Sequence, residues 1–492
     1  MVVLSAAGAA LLFYSVLFIR AAAAKRPGGA LNPALEMDNE SVKRAAESLA
    51  ALIRFRTVAG DFPAATEWTE WVKLRDYLRR RYPNIHSALE REIVGDYSLL
   101  FRWKAEKPIG DPILLCGHLD VAPADGLWEH PPFAGTARDG YIWGRGALDC
   151  KNVVVCLMET IEGMLGHGYV PRRDVYIALG HDHESGGEHG AGALARVFAE
   201  RSIRFHMILD EGGAGACLSR GTLPLKTPVA QIAVAEKGRV TIRLTAASRG
   251  GHASVPPRHT AVGLLSEAIA RAEYRQTRAA LIPLVREQLR RVAPALPFLW
   301  RFALVNLPVT TRRALKLCEQ DDKLNALVRT TFAAVRVSAG TGTSGAAVLP
   351  TGAEAYLNAR LLGSPESVVG FLKDLVADLG VEAETLSSTG PSAVSDFDTP
   401  QFGAVCEVTH KVFGGGLICV PSLLTGDSDA RRYEQYCGQI FRFSPFVLTP
   451  VDQDRLHAAD EGVRTESLGP AIGFYRELLM KFTSTEEEER LQ

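Results

Sequence analysis

The chain has 492 residues, and its 55 Lys+Arg are balanced by 56 Asp+Glu. That length exceeds one ordinary core and predicts two globular units. Near-zero net charge without a basic, aromatic-interleaved stripe argues against nucleic acid as a partner, and eight cysteines without a C-x-x-C pair argue against a zinc knuckle or disulfide scaffold.

The amino terminus, "VVLSAAGAALLFYSVLFI" (Val2 to Ile19), is free of charge and is followed by Arg20, Lys25 and Arg26. It reads as a short membrane span or signal anchor, or as a secretory signal whose n-region lacks the usual Lys or Arg. The expectation is a body anchored in the endomembrane or vacuolar system, or secreted, with orientation open.

From about Ala30 to Asp210, strand-like apolar runs alternate with helical patterns, the signature of an α/β sheet covered by helices. "DPILLCGHLD" (111–120), "DVYIALGHDHE" (174–184) and "FHMILDEGG" (205–213) each contain such a strand, and Val153, Cys156, Leu157, Thr160, Ile161 and Met164 predict a helix starting just after Asp149. From Gln231, "QIAVAEKGRVTIRLTAAS" alternates and predicts antiparallel strands turning at Lys237-Gly238, with a helix from roughly Ala261. The Leu- and Arg-rich stretch from Ala279 to Val328 predicts an added helical pair that packs the second unit or lines an apolar site. "AEAYLNARLL" (353–362) predicts another strand and "SPESVVGFLKDLVADLG" another helix with Pro in its first turn. The carboxyl end, "STEEEERLQ", reads as a solvated tail.

His118, Asp120, Glu184 and Asp210 stand just past the carboxyl ends of three predicted strands, and Asp149 opens the intervening helix at the same edge. In open α/β sheets that edge is where ligands bind. A lone strand-end Asp or His is most often a turn or cap. Several converging carboxylates would instead repel and be badly desolvated without a cation between them. Imidazole with carboxylates suits zinc, with cobalt or manganese as substitutes, and a bridging carboxylate could hold two metals.

"GHLDVAP", "WEHPPFAG", "DGYIWGRGALDCKN", "GHDHESGG", "LDEGG", "GGHASVPP", "DARRYEQYCGQIFRFSP" and "RLHAADE" occur in that order. Together they resemble the dinuclear zinc exopeptidase family of carboxypeptidase S, aminoacylase and the N-acyl-amino-acid hydrolases, over about residues 40 to 485 and closest to the carboxypeptidase S branch. The resemblance implies a zinc-exopeptidase catalytic domain, with mixed sheet flanked by helices, in two parts (38–230 and 393–485). An inserted α+β lid and dimerisation domain (231–392) would lie between them, after an N-terminal hydrophobic segment (1–26). It implies two Zn²⁺, one held by His118 and Asp210, the other by Glu184 and His457, with Asp149 bridging. Asp120 would orient the His118 imidazole. His252 would reach the substrate carbonyl oxygen from the lid, commonly across a homodimer interface, and Arg431 would receive the substrate carboxylate. Arg360 is a weaker candidate for substrate contact.

One position departs from the pattern. Relatives resembling this chain carry Asp-Glu-Glu where it has Asp182-His183-Glu184, so the general acid/base glutamate is His183. Histidine can do that work near neutral pH, but beside two dications it can also coordinate instead of shuttling protons. Ala347 replaces a common asparagine and Arg432 a common histidine. Other motifs fail: the second histidine of a zincin helix would fall at Gly187, "LDEGGAGAC" lacks dinucleotide spacing, and no G-x-S-x-G is present. The expected function is a metallohydrolase cleaving an amide beside a free carboxylate, on a peptide or N-acyl amino acid. The competing reading is a metal-binding pseudoenzyme.

Overall fold

Apolar runs at 113–118, 175–180, 207–210 and 229–236 have every residue buried, as strands covered on both faces must. In the computed structural model, which describes residues 2–24, 39–59, 67–212, 216–217, 225, 227–340 and 347–484, they form the middle of a nine-stranded mixed sheet. Its order is Glu90–Val94, Ser98–Trp103, Val175–Gly180, Ile113–His118, Met207–Asp210, Ile440–Arg442, Val229–Glu236, Ile418–Leu424, with Ala216–Cys217 beside Val229–Glu236. Side chains alternate across it. Ile113, Leu115, Ile177 and Leu209 pack under helices Asn39–Ile53, Lys151–Gly166, Pro400–Phe413 and Leu468–Thr483, whereas Leu114, Cys116, Ala178 and Ile208 pack against Ala191–Glu200. The expected α/β architecture, a mixed sheet flanked by helices, is present.

A second, four-stranded sheet runs Thr331–Ala339, Gly352–Leu361, Gly238–Ala247, Glu382–Thr389. One face is covered by helices Ala261–Tyr274 and Pro365–Val376, giving a separate core of Val240, Ile242, Leu244, Leu265, Leu357 and Leu372. Both helices are capped by a side chain: Thr260 accepts from Gly263 N, and Ser364 accepts from Ser367 N ahead of Pro365, the proline expected in the first turn.

Two expectations change. Residues 229–236 and 238–247 are not a hairpin, because the first strand pairs parallel with Ile418–Leu424 in the large sheet and the second pairs antiparallel with Gly352–Leu361 in the small one. The chain crosses between sheets at Lys237. The burial pattern marks the change, from continuous in the first strand to alternating in the second. Residues 279–328 are more than a helical pair, forming helices Pro283–Val292, Phe298–Val305, Leu307–Cys318 and Asp322–Val328. Leu284, Leu289, Leu304, Leu307, Leu324 and Leu327 belong to the core of the large sheet, not that of the small one. Lys237 ties this segment to the crossing, its ammonium donating to the carbonyls of Ala326 (2.9 Å) and Arg329 (2.8 Å).

Membrane anchoring through residues 2–19 is not supported. Among the described residues no helix is long and apolar enough to cross a membrane. Val2–Ala23 is a helix whose Leu17 and Ala21 are buried, with Phe18 4.9 Å from Phe298 and the Leu17 carbonyl accepting from Asn306 Nδ2 at 3.1 Å. The carboxyl tail, 485–492, and the glycine-rich residues 213–215 lie outside the described residues.

Since the helices of 279–328 share the core of the large sheet, Leu289→Ala is expected to destabilise the whole chain by about 2–5 kcal/mol in denaturant unfolding. A segment packing only the small sheet would leave the main transition in place.

Candidate metal centre

His118 ends its strand at the carboxyl edge of the sheet, fully buried. Its Nδ1 faces the Asp120 carbonyl oxygen at 2.9 Å and the Asp120 carboxylate at 3.4 Å, and its Nε2 faces Asp149 Oδ1 at 2.9 Å. Asp120 in turn accepts from the backbone N–H of Glu184 at 2.9 Å, tying the first strand end to the "GHDHESGG" turn. The second oxygen of Asp149, Oδ2, lies 2.9 Å from His457 Nε2, and His457 Nε2 lies 3.3 Å from Glu184 Oε1. Asp149 therefore stands between two histidines that are 339 positions apart in sequence.

Among the described residues three compact donor groups result, each with ligand atoms within 4.8 Å of one another: His118, His183 and Glu211 on one side, Asp149, Glu184 and His457 on the other, and His118, Asp149 and Cys150 between them. Asp210 is placed differently. Its two oxygens accept backbone N–H groups, from Glu211 at 2.8 Å and Ala430 at 2.7 Å, so the next residue, Glu211, presents its carboxylate to the group with His118.

The chemistry of these donors fits a divalent metal. Burial, then the neighbouring Asp149 and Asp210, pushes the Glu211 carboxyl well above the usual carboxylate range. Hydrogen bonds to Asp149 and Glu184 lift His457 to about 10. Burial and the His118 ring oppose a charge on His183, but Asp429 and Glu211 outweigh them and hold it well above the ordinary imidazole range. The cluster thus gathers protons to offset crowded carboxylates, and the buried Glu184 Oε1 faces His457 Nε2 at 3.3 Å. A dication would supply that positive charge directly.

His183 stacks on His118, ring centroids 4.4 Å apart and 18° from parallel, while its Nδ1 is 2.8 Å from Asp429 Oδ1. Two supports carry no sequence signal of their own. Buried Glu461 accepts from the backbone N–H groups of Gly146 (3.1 Å) and Leu148 (2.7 Å) and pairs with Arg145 at 2.6 Å, and Arg145 also donates to the His457 carbonyl at 3.1 Å. This pair locks the Asp149 loop to the His457 loop.

A cavity of about 530 Å³ opens over Asp149, Glu184, Glu211 and His457. Arg239 and Arg360, directly opposite each other on paired strands of the small sheet, line it and share one oxygen of Asp427, at 3.0 and 2.7 Å. The structure does not bring Arg431 into that cavity. Arg431 lines a neighbouring one of about 350 Å³ while its guanidinium pairs with buried Glu236 at 3.1 Å and donates to the Gly390 carbonyl. Arg432 sits at the surface on Glu188 and the Gly186 carbonyl. His252 is exposed on a two-residue strand, bonded to Ser254 and outside the cavity, and the backbone of Ala347 accepts from Ala253 beside it.

Histidine and carboxylate donors converging at the carboxyl edge of a helix-flanked mixed sheet, under a cavity with paired arginines, define a metallohydrolase. The family model "Peptidase family M20/M25/M40" matches residues 114–481, and this chain belongs to that family. It is 33% identical over 453 residues to the N-fatty-acyl-amino acid synthase/hydrolase PM20D1 of Bos taurus, covering 90% of this chain and 88% of that protein. It is 32% identical to the probable carboxypeptidase S-like 2 of Dictyostelium discoideum, covering 88% and 84%. Among solved structures, the metallo-carboxypeptidase Sso-CP2 of Sulfolobus solfataricus shares the fold at a TM-score of 0.65 and 17% identity, covering 91% of this chain and 99% of that one. The chain is a metallopeptidase or amidohydrolase of this family.

Arg431→Ala would remove one partner of the buried Glu236, with Arg442 and Ser428 remaining, and is expected to cost about 1–3 kcal/mol of stability. Arg360→Ala should instead raise KM, with a smaller fall in Tm. Thermal melts and steady-state kinetics on the two variants separate the roles; the opposite ranking would restore Arg431 as the substrate arginine.

Proposed function

We propose that this protein hydrolyses an amide bond beside a free carboxylate, in a peptide or an N-acyl amino acid, with two zinc ions, for which cobalt or manganese can substitute. The observation that carries the reading is Asp149 standing 2.9 Å from both His118 and His457, as a carboxylate shared between two metal positions would. His118 and Glu211 would hold one ion, Glu184 and His457 the other. Bound there, the metals polarise the scissile carbonyl and acidify water.

The chain's own residues do the rest. Asp120 keeps the His118 ring oriented through Nδ1. His183, at the cavity wall, takes a proton from the attacking water and passes it to the nitrogen of the breaking C–N bond. Its stacking on His118 favours this role over ligation. Ring-nitrogen lone pairs lie in the ring planes, and two nearly parallel, stacked rings do not aim them at one point. Arg360 and Arg239 grip the substrate carboxylate, and Arg431 acts by holding Glu236. The small-sheet unit serves as lid and dimerisation domain, and His252 stabilises the carbonyl oxygen when that unit closes or a second copy presents it. Relatives named as an N-fatty-acyl-amino acid hydrolase and a carboxypeptidase S-like protein point to substrates that share the amide and the carboxylate.

The test is a zinc-loaded turnover assay on dipeptides and N-acyl amino acids, run beside His183→Glu, with metal content measured per chain. Two zinc ions per chain and turnover abolished by chelation and restored by zinc are expected. His183→Gln should lose about 10²- to 10⁴-fold in kcat. A native protein that binds two zinc ions but turns over nothing, while His183→Glu is active, would make it a binder instead of a hydrolase.

A further inference from the structure

Asp429 is buried, its Oδ1 lies 2.8 Å from His183 Nδ1, and its Oδ2 has no hydrogen-bond partner among the described residues. The "GHDHESGG" stretch is shaped around it. A Cβ on Gly180 would stand 2.4 Å from Asp429 Oδ2, and one on Gly187, already at φ +68°, would stand 3.1 Å from Oδ1. Both flanking glycines thus leave room for this carboxylate. On its other side, Ser428 Oγ donates to buried Glu236 at 2.6 Å and Arg442 Nε donates to Ser428 at 2.9 Å, while the next residue, Ala430, donates its N–H to Asp210. The backbone bearing Asp429 is therefore fixed on both sides, and among the described residues the side chain has one hydrogen-bond partner, His183.

Resting on the proton-handling role proposed for His183, we infer that Asp429 is the positioning residue that holds the His183 imidazole through Nδ1–H, so that Nε2 is the atom presented to the reacting groups. A carboxylate accepts from Nδ1–H and cannot donate back, so it keeps that proton on Nδ1. Among the described residues no other hydrogen bond fixes its rotation.

Selective ¹⁵N-histidine labelling of the zinc-loaded full chain tests this without relying on turnover, with the His183 signals assigned by their loss in His183→Gln. In the native protein Nδ1 should carry the proton and Nε2 should give an unprotonated or exchanging signal; in Asp429→Ala the two tautomers should mix. A native ring protonated on Nε2 alone would overturn the inference. Kinetics supply the second arm. Asp429→Ala is expected to lower kcat about 10- to 100-fold with KM little changed, and to raise kcat in the His183→Glu background, where Asp429 would only repel the new carboxylate. An equal loss in both backgrounds would make Asp429 merely structural and sink the proposal. If no variant turns over, the hydrolase reading fails, and the tautomer measurement still decides the role of Asp429.

Discussion

The structure depends on one carboxylate being shared. Asp149 reaches His118 with one oxygen and His457 with the other, and Glu184 and Glu211 stand close by. Like charges this near, away from water, are held together only by a stronger constraint. That constraint is built from buried polar contacts, not from the sheet alone. Glu461 takes up the amide groups of the turn preceding Asp149, and Arg145 spans from Glu461 to the carbonyl of His457. Each depends on the other: without Arg145, Glu461 would be an uncompensated buried charge, and without Glu461 the Asp149 loop would lose its acceptor.

The second constraint lies where the two sheets meet. The chain leaves the large sheet after Glu236, buries Lys237 against carbonyls from the 279–328 segment, and enters the small sheet at Gly238. Burial pulls the Lys237 ammonium down to about 7. Two residues later Arg239 meets Arg360 across the strand pair, a like-charge juxtaposition that is unfavourable unless an anion is shared. Asp427, from the large-sheet unit, is that anion. The same geometry suits an incoming substrate carboxylate, so the contact joining the two units and the proposed recognition of substrate draw on the same two guanidinium groups.

Much of this was legible in the sequence, and the errors have local causes. His118, Asp120 and Glu184 follow from strand ends, because the sheet-edge rule needs only the position of each apolar run. His457 does not: it sits in a polar loop at φ +60° and was placed only by family resemblance. Asp210 and Glu211 show how a one-residue difference is decided. Both leave the strand at the same edge, and which carboxylate faces the metal group depends on Asp210 being engaged by the amide of Ala430, a contact 220 positions away. The strand at 229–236 was misassigned to a hairpin because alternation with the next strand looked continuous, while its pairing partner lies near residue 420. Family resemblance ranks Arg431 above Arg360, and what it cannot show is that Arg431 has a buried partner, Glu236, while Arg360 lines the cavity wall.

His183 is the place where this chain departs from the pattern it otherwise keeps, and the surrounding residues make the departure physically coherent. A neutral imidazole in place of a carboxylate would remove one negative charge from a site assembled to hold cations. Asp429, 2.8 Å from the ring, keeps a carboxylate next to the proton-carrying group. The exchange also replaces a flexible carboxylate with a rigid ring, and Gly180 and Gly187 provide the room its partner needs. An isolated change to histidine would face desolvation and an unfixed tautomer; this one has a bonded neighbour and a ring stacked on His118. The replacement therefore reads as one part of a built pair, which is what retention of hydrolysis, and not simple loss of the acid/base residue, requires.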